Sequence, residues 1–151
     1  MKAVIQRVSE ARLYVNKEVV GETGGGLVVY VGVEQADVES DVVAMCRKIA
    51  AMRIFSDADG KMNLSVREIG GDVLMVSNFT LCADISHGNR PSFTGAKRPV
   101  SDAKALFEYS VDVMRDLFRE VGAVGRVDSG IFGADMRIEQ TNDGPVTVIY
   151  Q

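Results

Sequence analysis

The chain has little with which to hold a metal or build a side-chain hydrolytic triad. Its 151 residues include one histidine, His87, and two cysteines, Cys46 and Cys82. The cysteines are far apart and form no C-x-x-C pair, so they read as reduced core thiols of a cytoplasmic protein rather than as zinc ligands or a disulfide. No metal and no cofactor is expected. No stretch approaches the roughly 20 consecutive apolar residues of a membrane helix. The N-terminal MKAVIQRVSEA has too short and too polar an apolar core for a secretory signal. A cytoplasmic location and no membrane partner are the resulting expectations. Excess positive charge is missing too. The formal net charge is −4, from 17 Lys and Arg against 21 Asp and Glu, which excludes a strongly basic nucleic-acid-binding protein and predicts no DNA partner.

What is present suits one soluble domain spanning 1–151. The apolar fraction of 46% and charged fraction of 25% are ordinary for a globular protein. A domain of this length buries roughly 68–70% of its unfolded surface and needs no covalent staple. Within the acidic chain, segment 84–99 sets Arg90, Lys97 and Arg98 against only Asp84. That basic loop either meets phosphate locally, since screening confines charges to about 8–10 Å, or is a plain solvated surface.

Residues 2–8 have strand composition, and 11–15 and 18–22 flank Asn16-Lys17 as a tight hairpin. Residues 27–33 (LVVYVGV) form the nearly continuous apolar run of a strand buried on both faces. From Asp37, a plausible N-cap, apolar residues recur at three- and four-residue spacing, so 38–53 reads as an amphipathic helix. Residues 72–82 return to strand composition. Ser101 is expected to cap a second helix whose apolar face runs from Leu106 to Val121, and Gly122 fits its end. Residues 134–140 and 146–150 read as two final strands around a turn at 141–145. This order lacks regular β-α-β alternation. It predicts an α+β fold: a mostly antiparallel, barrel-like sheet with two packed helices.

Several candidate sites fall away on their own chemistry. Gly24-Gly25-Gly26 leads into a strand rather than a helix N-terminus, so it reads as a turn and not a phosphate cradle. Asp57-Ala58-Asp59-Gly60 hints at calcium, but the sixth place of an EF-hand loop, which needs glycine, holds Met62. His87 with Ser86, Ser77 or Ser92 lacks any recognisable nucleophile context. Two segments remain. Ser77-Asn78-Phe79-Thr80-Leu81 is either an alternating strand with Phe79 and Leu81 in the core or a polar strand end that serves a site. Asn142-Asp143-Gly144-Pro145-Val146-Thr147 is either a turn before a strand or something more specific.

These segments carry a resemblance. Ala3–Val8, Arg53–Phe55, Gly60–Ser65, Ser77–Leu81, Arg90–Phe93, Phe132–Met136 and Asn142–Thr147, taken together and in this order, resemble the D-aminoacyl-tRNA deacylase family nearly end to end. The resemblance implies a homodimeric, barrel-like fold with helices outside. It implies hydrolysis of the ester joining a D-amino acid to the 3′-terminal adenosine of tRNA, and of glycyl esters. It further implies that Gly144-Pro145 is cis and enters the partner subunit's site, where its carbonyls crowd out an L side chain, and that Arg7 holds this motif. Ser77, Phe79 and Thr80 match the adenosine and catalytic pocket. Asn78 departs from the family's usual glutamine, keeping the amide but losing a methylene.

That chemistry agrees with the missing toolkit. An aminoacyl ester is already activated, so backbone N–H groups near Phe79 and Thr80 can supply the oxyanion contacts. The alternative, a Thr80 hydroxyl nucleophile, has no visible base beside it. Gly144, Pro145, Ser77, Asn78 and Arg7 are then expected to bind or select the aminoacyl group, and Arg90, Lys97 and Arg98 to meet the tRNA. The competing readings are a non-catalytic tRNA- or nucleotide-binding module and a related deacylase for another mischarged amino acid.

Overall fold

The computed structural model describes residues 1–151. Strand β1 (Lys2–Val15) is one long strand rather than two, and it turns into β2 (Glu18–Thr23) through Asn16 and Lys17. Both turn residues have positive φ, 51° and 71°, the geometry whose twist matches a two-residue hairpin. Then come β3 (Gly26–Gly32), helix α1 (Glu39–Ala50), a small ribbon of β4 (Phe55–Ser56) and β5 (Met62–Leu64), and β6 (Asp72–Ser77). A short 3-10 helix, Phe79–Cys82, precedes helix α2 (Val100–Glu120), β7 (Val127–Ser129) and β8 (Arg137–Tyr150).

The main sheet runs β2-β1-β3-β6-β7, with β8 on the other side of β1. It curls until β2 approaches β7, where the Glu22 N–H donates to Asp128 Oδ2 at 3.1 Å. The result is an α+β fold with a nearly closed, barrel-like sheet and two helices. The sheet is mixed. β1 pairs antiparallel with β2, β3 and β8, but β3 pairs parallel with β6, and β6 with β7. The two connections that create these parallel pairs contain α1 and α2, and a parallel neighbour requires such a crossover.

Period-two alternation explains the apolar runs of β3 and β6. Leu27, Val29, Val31, Val73 and Met75 face the helices, in a cluster with Met45, Ile49, Phe107 and Met114. Val28, Leu74 and Val76 face the barrel interior with Val8, Ala11 and Leu13. Fully burying such a side chain stabilises the fold by about 1.5–3 kcal/mol. Gly26 is required where β3 passes β6, because a Cβ there would stand 2.0 Å from the Asp72 carbonyl oxygen.

Three local expectations are corrected. Val38, not Asp37, is the N-cap of α1, and the Asp41 carboxylate accepts from the Val38 N–H at 2.9 Å. Asp37 instead accepts from the Met1 ammonium and the Glu34 N–H, both at 2.6 Å. Helix α2 starts from Pro99, leaving Ser101 in its first turn, while Gly122 follows its end with φ 64°. The last two strands are one. No turn separates 134–140 from 146–150, because β8 continues along β1 through a bulge. Gln6 pairs with Thr147 and Val8 with Asn142, so residues 143–146 bow out opposite the single residue Arg7. No helix is long and apolar enough to cross a membrane.

Candidate active site

β3 and β6 run parallel, so the chain leaves both at the same edge of the sheet, with Val31 in register with Ser77. A crevice opens beyond those carboxyl ends, as it does in parallel sheets generally. Its volume is about 600 Å³. Val31, Val33 and Ser77 form its floor, Phe107 and Phe132 an apolar wall, and Asp135 its one carboxylate.

Asn78 breaks the strand. Its N–H donates to the Val31 carbonyl at 2.8 Å, and its carbonyl accepts from Leu81 N–H at 3.2 Å, which starts the 3-10 helix. The strand expected to reach residue 82 therefore stops at Ser77, and Phe79 is 58% exposed instead of lying in the core. A helix leaves its first N–H groups without intrahelical acceptors. Here those groups belong to Phe79 and Thr80, both lining the pocket, and no side chain caps them. The Thr80 hydroxyl donates to Asn78 Oδ1 at 2.5 Å. A carboxamide oxygen is no proton-abstracting base, so this contact orients the hydroxyl without activating it.

The structure divides the sequence-derived candidates into groups. Ser77, Asn78, Phe79, Thr80, Lys97 and Arg98 line the pocket. Lys97 is a tether: its Nζ donates to the carbonyls of Gln35 at 3.0 Å and Asp37 at 2.9 Å. Arg98 is exposed at the rim, its N–H donating to Gln35 Oε1 at 2.9 Å. Arg90 and His87 lie outside the pocket, on an excursion closed by paired hydrogen bonds between Asp84 and Ser92.

Arg7, Gly144 and Pro145 form a separate group that does not line the pocket. Arg7 crosses the β8 bulge, its Nε 3.0 Å from Asp143 Oδ2, while Nη1 donates to the Ile54 carbonyl at 2.7 Å. The guanidinium lies 5.9 Å above the Phe55 ring. Gly144 has φ 127°, and a Cβ there would be 2.7 Å from the Val146 nitrogen, so only glycine fits. The Gly144-Pro145 and Arg98-Pro99 bonds are both cis. Gly144 and Pro145 are exposed on β8, a strand that pairs on one side only, with β1.

The thiols are unsuited to nucleophilic work. Burial pushes the Cys46 thiol up to about 12. Burial also raises Cys82, with the Glu34 carboxylate adding to it. A thiol so held is not a thiolate at neutral pH. Segment 132–136 lines the pocket, and only the family resemblance pointed to it. The Gln35–Asp37 turn lies outside the lining; its Gln35 and Asp37 carbonyls hold Lys97 in place.

A D-aminoacyl-tRNA deacylase of Akkermansia muciniphila is 52% identical over 148 residues, 98% of this chain and 95% of the relative. One from Salmonella newport is 49% identical over 147 residues, 97% of each chain. A solved structure titled c-Myc DNA Unwinding Element Binding Protein superposes with TM-score 0.91 at 34% identity, covering 100% of this chain and 98% of that one. Another, a probable eukaryotic D-amino acid tRNA deacylase, shares the fold with TM-score 0.82 at 19% identity, over 99% and 97% of the two chains. Fold and relatives together define an α+β hydrolase. The chain belongs to the D-Tyr-tRNA(Tyr) deacylase family, whose model matches residues 4–151.

Proposed function

We propose that this chain, acting as one domain over 1–151, hydrolyses the ester between a D-amino acid and the 3′-terminal adenosine of tRNA. It releases free amino acid and tRNA, and it takes glycyl esters as well. The observation that carries this reading is a pocket with two uncommitted N–H donors, Phe79 and Thr80, in a chain of this family. In the transition state the ester carbonyl oxygen gains negative charge. Donors already aimed at that position stabilise it without reorganising, an effect worth about 10²–10³ in rate for one donor. Water is the nucleophile, and the terminal ribose 2′-OH helps to position it. Ser77 and the Asn78 carboxamide bind the substrate beside these donors.

Selection is by exclusion. The exposed Gly144-Pro145 bulge, braced by Arg7, enters the pocket of a second copy, so the working unit is a homodimer. Its carbonyls leave room for hydrogen but not for an L side chain, and such a clash discriminates better than added contacts to the D side chain. Glycine passes because it has no side chain to reject. The partner is charged tRNA rather than DNA, and the enzyme works in the cytoplasm, where charged tRNA is used.

The test is release of free amino acid by purified protein from D-Tyr-tRNA, Gly-tRNA and L-Tyr-tRNA. The first two are expected to be hydrolysed and the third spared. Binding without release would instead make the chain a non-catalytic tRNA-binding module. Release of some other mischarged amino acid alone would make it a related deacylase. Light scattering is expected to give a dimer, and an active monomer would remove the cross-subunit gate.

A further inference from the structure

Beside the pocket lies an aromatic pair that the core does not use. The rings of Phe79 and Phe93 meet edge to face, with centroids 5.2 Å apart and an interplanar angle of 66°. Phe79 is 58% exposed and lines the pocket, whereas Phe93 lies just outside it. Phe93 follows directly on the Asp84–Ser92 bridge that closes the excursion carrying Arg90. The segment beyond it is held firmly. The Ala96 N–H donates to the Phe93 carbonyl at 3.1 Å, the Lys97 N–H to the Val33 carbonyl at 3.0 Å, and the Lys97 ammonium ties down Gln35 and Asp37. Phe93 therefore sits on an anchored base, next in the chain to the excursion that carries Arg90 and in contact with Phe79 at the pocket.

We propose that Phe79 and Phe93 form a stacking shelf for the unpaired bases immediately 5′ of the terminal adenosine, with Arg90 taking the adjoining phosphates. The proposal rests on the deacylase reading only in that the neighbouring pocket receives the terminal nucleoside. Phe79 is exposed and Phe93 half-buried; accessible aromatic faces beside a cation suit single-stranded nucleic acid, because every base has a π-face and every step a phosphate. Charge complementarity favours this occupant: the 84–99 segment is net positive on a chain of net charge −4. A second copy across a two-fold axis through the shelf would set Arg90 and Arg98 against themselves.

The test uses two readouts on the full-length protein. The first is binding of a fluorescent RNA pentamer ending in 3′-CCA, and of the same pentamer with abasic sites replacing the two cytosines. Phe93→Ala is expected to weaken binding of the intact pentamer by about five- to a hundredfold, the range for one stacked base. Phe93→Trp should preserve it. The abasic pentamer should bind weakly to wild type and no more weakly to Phe93→Ala. The second readout is hydrolysis of 3′-D-tyrosyl-adenosine, which lacks the upstream bases and reports an intact pocket. Phe93→Ala should hydrolyse it at the wild-type rate. Unchanged pentamer binding in Phe93→Ala, or equal abasic losses in both proteins, overturns the shelf. So does a parallel loss of adenosine-ester hydrolysis, which would mean that Phe93 merely props Phe79. If wild type binds the pentamer through Phe93 yet never cleaves the ester, the deacylase reading fails and the shelf stands.

Discussion

Arg7 on β1 and Asp143 on β8 face each other across a bulged strand pair, Nε to Oδ2 at 3.0 Å, at the foot of the Gly144-Pro145 step. The arginine side chain is only 13% exposed, and its other arm holds the Ile54 carbonyl. It thus fixes an exposed loop from a nearly buried base. Arg7→Ala is expected to lower stability by about 1.5–3 kcal/mol, the range for hydrogen bonds to a charged group. It should also lower the ratio of D-Tyr-tRNA to L-Tyr-tRNA hydrolysis. Arg7→Lys should rescue little, because lysine lacks the fork that reaches two partners at once. Urea melts and paired deacylation rates check this. A variant as stable and as selective as wild type would detach Arg7 from the gate.

Thr80→Ala separates hydroxyl from backbone. The hydroxyl is turned toward Asn78 Oδ1, while the Thr80 N–H, in the first turn of the 3-10 helix, has no side-chain cap. Because the N–H survives the substitution, kcat should fall by less than about tenfold, well short of the 10²–10³ expected for losing an oxyanion donor. A larger fall, measured in single-turnover hydrolysis of D-Tyr-tRNA, would assign the hydroxyl a chemical role.

The basic loop should not respond to neutralisation as a unit. Arg90 and Arg98 are exposed, but Lys97 is spent on two carbonyls. The double variant Arg90→Ala/Arg98→Ala should raise KM for charged tRNA and flatten its log–log salt dependence by about 0.7 per lost contact, the single-strand value. Lys97→Ala should leave the slope unchanged and lower the melting temperature. Equal slopes in wild type and the double variant would make the loop a bystander.

Acid should unfasten one corner of the barrel. Burial raises the Asp72 carboxyl, but the N–H groups of Arg126 and Gly24 and the Arg126 guanidinium outweigh it and hold it below the ordinary carboxylate range. A depressed folded pKa contributes stability above the unfolded value, about 3.9 for Asp, and loses it as pH falls through the folded value. Asp72→Asn should therefore cost about 1–2 kcal/mol at pH 7. That difference should shrink toward zero below pH 4 in denaturant melts. A constant difference from pH 7 to pH 3 would rule out the charged form as the source.

Features that depend on neighbours along the chain were legible in the residues alone. Three-and-four periodicity set α1 and α2. Asn16-Lys17 set the hairpin, because only a tight turn joins strands across two residues. The doubly apolar run at 27–33 set a strand covered on both faces. Family resemblance alone singled out Ser77–Leu81, of which Ser77–Thr80 line the pocket, and Asn142–Thr147 with Arg7, where a turn was expected. Composition alone left both segments open. The tertiary structure decided what depends on distant partners. The Val31 carbonyl takes the Asn78 N–H and so stops β6 at Ser77, freeing the Phe79 and Thr80 donors. β1 runs unbroken past residues 141–145, turning an expected turn into a bulge opposite Arg7. Asp37 was drawn from its expected capping place by the Met1 ammonium, and Lys97 from solvent by carbonyls about sixty residues away. Parallel pairing of β3 with β6, which opens the pocket, was likewise invisible locally, since strand direction is set by how the crossover helix packs.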